Sequence, residues 1–151
     1  MDQTTLLRAH VERVLQDAWD VKDLKTDPDG DYPFEWGSAA CWVRVRPPLD
    51  QEDLPSVEAF AIAGKGLKRT AKLLTEINDL NGSARWVKIA LERDRIYVSR
   101  LLHMAGTDRD ALLNACTAVG TVAAQIGPVL TVVHGGVTPH TVESSSEQEP
   151  Q

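Results

Sequence analysis

Cysteine is scarce in this chain, which argues against a disulfide framework and against a cysteine-rich zinc site. The two cysteines, Cys41 and Cys116, are far apart, and each lies inside an apolar run. A cysteine in such a setting usually behaves as a small buried hydrophobic residue. We therefore expect two free, buried thiols in a reducing compartment, the cytoplasm. A disulfide or a reactive thiol is the alternative.

Catalytic and metal-binding motifs are also missing. None of the four histidines has the HExxH spacing, and no GxSxG nucleophile motif is present. The segment AGKGLKRT (63–70) lacks the GxxxxGKS or GxxxxGKT frame of a phosphate-binding loop. The acidic stretch TDPDGDYP (26–33) has its glycine too early for an EF-hand calcium loop, and no glutamate closes it. We therefore expect no enzyme activity, no metal and no cofactor.

Long hydrophobic runs and an excess of positive charge are absent as well. No uninterrupted apolar run approaches the roughly 20 residues that span a membrane, and the first residues, MDQTT, are polar. The net charge of -6 argues against broad binding to nucleic acid or to anionic membranes. A chain of 151 residues is typical of one domain, which can bury enough surface to fold without a metal or a disulfide.

Hydrophobic periodicity predicts three helices and a mainly antiparallel sheet of about five strands. The order helix, strands, helix, two strands, helix is typical of an α+β fold. We expect this domain to cover 1–134. The acidic tail, 135–151, has too few apolar residues to pack, and we expect it to be disordered. The predicted helices cover 4–20, 67–80 and 108–133, and the predicted strands cover 34–46, 56–63, 84–91 and 95–104.

The last two strands form a hairpin if Arg93 and Asp94 make its loop. Glu92 then lies opposite Arg95, a favourable cross-strand charge pair. Alternate residues point to opposite faces of the sheet. One face of the pair therefore carries Val87, Ile89, Leu91, Ile96, Val98 and Arg100, and the other carries Trp86, Lys88, Ala90, Tyr97, Ser99 and Leu101.

Tryptophans are the most informative apolar residues. Three helices can cover one side of a small sheet, and the other side displays Trp36, Trp42 and Trp86 if the strand parities align. A contiguous apolar surface usually marks a partner site. The alternatives are that a helix or the tail covers this side, or that strand bends divide the tryptophans between the two faces.

Basic residues cluster before and within the predicted second helix. Lys65, Lys68, Arg69 and Lys72 crowd its predicted start, where positive charge opposes the helix macrodipole. This cluster either orients an acidic segment of a partner or is a solvated face with acidic neighbours.

Two asparagines lie near the end of the same helix. Asn81 precedes Gly82, a pair typical of a helix that stops in a left-handed conformation. We expect Asn78 to bond to the loop backbone, with contact to a partner as the alternative.

The run LLTEINDLNGSARWVKIALERDRIYVSR (73–100) resembles the YbjN family. The matching positions are Leu74, Asn78, Asn81 and Trp86, and the long last helix also agrees. The resemblance implies a fold similar to that of type III secretion chaperones: helix, three strands, helix, two strands, helix. It also implies a peptide-binding or chaperone-like module, often dimeric, with no catalytic residues.

These observations predict a non-enzymatic, chaperone-like module that binds a protein or peptide client on an apolar sheet surface and forms a homodimer. We expect no nucleic-acid or membrane partner. A client strand added to a sheet edge is another possible mode. The alternative functions are a structural homodimer and a small-ligand-sensing regulatory protein. The predicted partner-binding residues are Trp36, Trp42, Trp86, Tyr97, Lys65, Lys68, Arg69 and Asn78.

Overall fold

The computed structural model describes residues 2–50 and 53–139. Its elements are α1 (Gln3–Ala18), β1 (Tyr32–Trp36), β2 (Ala39–Arg46), β3 (Ser56–Gly64), α2 (Ala71–Ser83), β4 (Lys88–Glu92), β5 (Arg95–His103), a 3-10 turn (Met104–Gly106) and α3 (Arg109–His134). The five strands form one antiparallel sheet in the order β1-β2-β3-β5-β4. The predicted α+β class and the order of elements are confirmed.

The core lies between one face of the sheet and the three helices. Alternate side chains of the strands point into it, and Val43 of β2, Val57 and Ala61 of β3, and Val98 of β5 are completely buried. Helix α1 contributes a buried stripe at helical spacing, as predicted. The members of this stripe are Leu7, Val11 and Leu15.

Helix α3 is the centre of the helical layer and lies across β3, β5 and β2. Asp108 caps its first turn by accepting a 2.7 Å hydrogen bond from the Ala111 amide. Two glycines bring α3 close to the sheet. A Cβ at Gly127 would overlap the carbonyl of Ala63, and a Cβ at Gly120 would overlap the indole of Trp36.

The length and composition of α3 also fit a membrane-spanning helix. Nine of its residues are nevertheless buried within the domain, and one such helix is weak evidence because core helices have the same composition. We therefore describe α3 as the core helix of this fold.

The predicted strand 34–46 is a hairpin, not one strand. The chain reverses at Gly37 and Ser38, where Gly37 has a φ of 58°, so that Trp36 pairs with Ala39. Directly opposed residues share a face. Trp36 therefore shares the helix-covered face with Ala39, whereas Trp42 points to the other side.

The predicted hairpin of β4 and β5 is confirmed. Glu92 pairs with Arg95, Leu91 with Ile96 and Ile89 with Val98. Arg93 has a φ of 58°, so this turn forms without a glycine. Within these two strands, the side chains therefore lie on the faces predicted for them. Trp86 is an exception because it precedes β4.

The second helix begins and ends later than predicted. Thr70 caps α2, its hydroxyl accepting from the Leu73 amide, so Lys65, Lys68 and Arg69 precede the helix. The expected conflict between positive charge and the macrodipole is therefore wrong for these three residues.

The structure describes further residues after 134, where the domain was predicted to end. Val137 pairs with Lys65 through two 2.9 Å backbone hydrogen bonds, and Thr138 is buried. These contacts anchor the chain at the end of β3. The rest of the predicted disordered tail, 140–151, lies outside the described residues.

Candidate functional site

The sheet face opposite the helices is the main candidate site, and we call it the open face. No helix among the described residues packs on it. Neighbouring side chains enclose a concavity of about 460 Å³ along it. Its apolar lining residues are Ala40, Trp42, Phe60, Ile62, Ala90 and Tyr97.

Four of these residues form a continuous apolar strip across three strands. Trp42 lies directly opposite Phe60, and their rings stack with centroids 5.3 Å apart. Ile62 lies opposite Tyr97 on the next strand. Such aromatic side chains offer rigid contact area at a low cost in conformational entropy. We call Trp42, Phe60, Ile62 and Tyr97 the apolar strip.

Arg44 fixes one end of this strip. Its guanidinium lies 4.4 Å from the centre of the Phe60 ring. Asp31 holds it with two parallel hydrogen bonds, Nε to Oδ1 at 3.1 Å and Nη2 to Oδ2 at 2.7 Å. The hydrogen bond to this carboxylate is the main reason why the pKa of Arg44 is raised. Arg44 is therefore a fixed wall of the site.

The acidic turn next to Arg44 contains three carboxylates, Asp27, Asp29 and Asp31, with ligand atoms within 4.8 Å of one another. Asp27 Oδ1 accepts from the amides of Asp29 and Asp31 at 3.0 and 2.9 Å, and Asp31 binds Arg44. These hydrogen bonds explain why the three carboxylates lie close together. They stabilise a turn that the Asp31–Arg44 pair holds against the sheet.

The expectation that three tryptophans share the open face is wrong. Only Trp42 lies there. Trp36 packs under α3 against Gly120 because the β1–β2 turn changes the strand parity. Trp86 is 67% exposed beside α3, where the guanidinium of Arg100 lies 5.5 Å from its ring.

The predicted basic residues have different surroundings. Lys65 lines the concavity of the open face. Lys68 is exposed in the segment before α2. Arg69 donates from Nη2 to the carbonyl of Leu91, at 3.3 Å, and so braces β4.

Phe60 and Ile62 are not among the predicted partner-binding residues, because the sequence pattern does not separate the two faces of β3. In the run SVEAFAIA, the residues after Glu58 are apolar on both faces of the strand, which is typical of a central strand. With Val57 assigned to the core, alternation places Phe60 and Ile62 on the other face.

The two asparagines of LLTEINDLN have different roles. Asn81 does not stop α2, which continues to Ser83. Its side chain accepts from the Ile89 amide at 2.8 Å and donates to the Ile89 carbonyl at 2.7 Å. Asn78 is exposed, and among the described residues its side chain has no hydrogen-bond partner, so the expected bond to the loop backbone is wrong.

These contacts also occupy the outer edge of β4. Asn81 binds both backbone groups of Ile89, and Arg69 binds the carbonyl of Leu91. A further strand needs these backbone groups free in order to pair. On the opposite edge, β1 contains Pro33, which has no amide hydrogen to donate.

A second apolar surface lies on the flank of the helical layer. It extends from Trp86, past Val122, to a depression between α2 and α3 that is lined by Leu80, Ile126 and Val129. Val129 is 61% exposed. We call these five residues the flank surface.

Both cysteines are buried, and two of the four histidines, His10 and His134, have hydrogen-bond partners. Burial raises the pKa of Cys41 and of Cys116 to about 12, and both thiols are free, as predicted. His10 bonds to the carbonyl of Thr107, and His134 lies 2.7 Å from Glu76. Because the pKa of each thiol is raised to about 12, neither cysteine is an activated nucleophile near neutral pH.

The comparisons agree with the fold and with the resemblance in the central segment. Residues 5–142 match the family model described as T3SS (YopN, CesT) and YbjN peptide-binding chaperone 1. The chain belongs to this family. As predicted, it is a YbjN-like member of the type III secretion chaperone fold, which is consistent with a non-enzymatic, chaperone-like module.

Two solved structures show the same fold as this chaperone-family chain at low sequence identity. One is that of the ExsC-ExsE complex, with a TM-score of 0.58, 9% identity, and coverage of 86% of this chain and 97% of that chain. The other is the Yersinia pestis type III secretion chaperone SycH in complex with a stable fragment of YscM2. It has a TM-score of 0.54 and 14% identity, and covers 79% of this chain and 98% of that chain. No curated protein sequence matches the chain significantly.

The two asparagines provide a matched test of their roles. Asn81→Ala leaves the amide and carbonyl of Ile89 without their partner, so we expect it to lower the free energy of unfolding by about 1–3 kcal/mol. Asn78→Ala, three residues away on the same helix, is expected to change it by less than about 0.5 kcal/mol. Urea unfolding measures both values, and equal effects would contradict these assignments.

Proposed function

We propose that this chain is a cytoplasmic, non-enzymatic, peptide-binding chaperone-like module that holds an extended or partly folded client segment on its open face. The observation that carries the proposal is the apolar strip, which lies on a sheet face without a covering helix in the described part of the chain. We propose neither nucleic acid nor membrane as a partner.

The apolar strip has the properties of a binding surface for extended chain. Trp42 and Tyr97 are partly exposed, whereas Phe60 and Ile62 are only 7% and 6% exposed and form the floor between them. A client that adds apolar side chains here completes the burial of rings that are already held in place. Little ordering of the surface is then needed on binding, which favours affinity.

The charges around the strip are divided between its two ends. Asp27, Asp29 and the Arg44–Asp31 pair lie at the end near β1 and β2. Lys65, Lys88 and Arg95 lie at the other end, where Glu92, opposite Arg95, is the one acidic residue in the described lining. Charge division of this kind gives a bound segment a preferred direction. We propose that Lys65, rather than Lys68 or Arg69, orients an acidic flank of the client.

Client addition to a sheet edge is the less favoured mode. The outer groups of β4 are bonded to Asn81 and Arg69, and β1 carries Pro33. Binding through side chains on the open face needs neither edge.

The test compares two tryptophans. An array of peptides of about 12 residues, long enough to cross five strands spaced about 4.8 Å apart, identifies a binding peptide. Its affinity is then measured by fluorescence anisotropy. Trp42→Ala and Tyr97→Ala are each expected to weaken binding about tenfold or more, because central aromatic contacts contribute about 1.4 kcal/mol or more.

Trp86→Ala is the matched control, because it removes the same ring from the flank surface. It is expected to leave the peptide affinity within about twofold of the wild-type value. Unfolding curves confirm that each variant folds. Weakening by Trp86→Ala with no effect of Trp42→Ala or Tyr97→Ala would reject the open face as the client site.

A structural homodimer is the second candidate function, and the flank surface favours it. Val122, Ile126 and Val129 recur at helical spacing on α3 and remain partly or largely exposed. An apolar helical stripe of this kind is typical of helix–helix contact between subunits. We propose that a second copy packs here, which leaves both open faces available.

Sedimentation velocity over a dilution series tests the dimer. Val129→Asp places a charge in the proposed contact and is expected to convert the dimer to a monomer. Leu49→Asp is the control, because Leu49 is 92% exposed in the loop after β2 and is not part of the flank surface. A wild-type chain that stays monomeric at high concentration would contradict the proposed dimer.

A further inference from the structure

The apolar part of the open face extends across the strands. On the central strand β3, Phe60 and Ile62 are successive positions on this face. Glu58 comes before them and Lys65 follows them, so a segment that ran along β3 would meet charge within about 10 Å in either direction. A segment that crosses the strands meets apolar side chains on four neighbouring strands. They are Ala40 and Trp42 on β2, Phe60 and Ile62 on β3, Tyr97 on β5 and Ala90 on β4.

The β1 side of this crossing path is acidic. Glu35 lies directly opposite Ala40 and so shares the open face, where its side chain is exposed. Asp27 and Asp29 line the concavity on the same side. Among the described residues, none of these three carboxylates forms a salt bridge. They are therefore available to a cationic side chain of a partner.

The β4 side of the path carries more cations than carboxylates. Lys88 and Glu92 belong to β4, and Arg95 of β5 lies directly opposite Glu92. Lys65 follows the end of β3, and all four side chains line the concavity. No salt bridge to any of the three cations occurs within the described residues. Glu92 offsets one of the cations, so this side keeps a net positive charge.

The length of the path corresponds to about seven residues of extended chain. Strands β1 and β4 are the outermost strands of five, and neighbouring strands are about 4.8 Å apart, so the path is about 19 Å long. An extended chain advances about 3.3 Å per residue, so its first and seventh residues lie about 20 Å apart. Every second side chain points the same way, so the first, third, fifth and seventh side chains face the sheet together.

We propose that the client of the open face is an extended segment of about seven residues that crosses the strands and has opposite charges at its two ends. A basic side chain lies at the β1 side, an acidic side chain lies at the β4 side, and apolar side chains at the third and fifth positions cover the apolar strip. Side chains rather than backbone hydrogen bonds hold this segment, so its charges decide which way it lies. The pattern rests on the proposed function and adds the chemical class of the client.

Four designed peptides test the end charges by fluorescence anisotropy. All share the apolar pair, and their ends are basic and acidic, acidic and basic, both basic, or both acidic. In about 0.01 M salt, we expect the two peptides with opposite end charges to bind about fivefold or more tightly than the other two, and we expect this difference to vanish in about 1 M salt. Equal binding of all four would overturn the pattern. Tightest binding of the doubly basic peptide would also overturn it, because attraction to the net charge of -6 would then decide.

The spacing of the apolar pair is tested with the end charges unchanged. Moving both apolar residues by one position turns them away from the sheet and is expected to weaken binding about tenfold or more. A third peptide has its apolar residues four positions apart, as on one face of a helix. Binding of this peptide that is as tight as that of the alternating one would overturn the extended conformation.

Charge-reversal variants test the position of each end. Lys88→Glu is expected to weaken binding of the opposite-ended peptides about threefold or more and to strengthen binding of the doubly basic one. Glu35→Lys is expected to weaken the opposite-ended peptides similarly and to strengthen the doubly acidic one. Lys72→Glu makes the same charge change at an exposed position of α2 and is expected to have an effect within about twofold. Equal effects of Lys88→Glu and Lys72→Glu would overturn the assignment of the acidic end.

Trp42→Ala distinguishes failure of this client pattern from failure of the proposed function. If Trp42→Ala weakens every peptide, while end charge and spacing have no effect, the open face binds clients but the pattern is wrong. If no peptide binds, or if Trp42→Ala changes nothing, both are wrong. A dimer that Trp42→Ala disrupts and that competes with the peptides would assign the open face to a second copy, which would also overturn both.

Discussion

The close contact between α3 and β3 is the constraint on which the rest of this structure depends. Small side chains on β3, such as Ala59 and Ala61, and the glycines of α3 let the helix approach the sheet backbone at Gly127 and the Trp36 ring at Gly120. Dispersion and burial of apolar surface make such contacts favourable only if the surfaces fit closely. The other helices pack on the same side, and the opposite side of the sheet keeps its own set of apolar side chains.

The open face follows from this one-sided packing. A central strand has two neighbours, so its side chains on an uncovered face are still shielded by those of the adjacent strands. Phe60 and Ile62 are nearly buried in this way, without a helix above them. Arg44, held by Asp31, adds a polar wall at one end. The result is a firm apolar floor with charged ends, which suits an extended segment better than a small, fully enclosed ligand.

Local patterns predicted the fold well where a short segment determines its own geometry. The register of β4 and β5 follows from Glu92 opposite Arg95 and from alternation. The candidate site was predicted less well, because one turn changes which face of the sheet each later residue occupies. Gly37 and Ser38 are flanked by apolar residues on both sides, so 34–46 resembled one strand, and Trp36 was assigned to the wrong face. Asn81 shows a tertiary contact overriding a local preference, since its amide pairs with Ile89 instead of ending the helix.

The four tryptophans offer the most direct test of the account, because each reports a different place. Trp19 and Trp36 are packed against the core, Trp42 lies on the open face and Trp86 on the flank surface. In a ¹⁵N-labelled chain each indole N–H gives its own signal, which can be followed while a binding peptide is added. We predict that the Trp42 signal shifts and that the other three stay in place. A shift of Trp86 alone, with Trp42 unchanged at saturation, would contradict the claim that the open face binds the client.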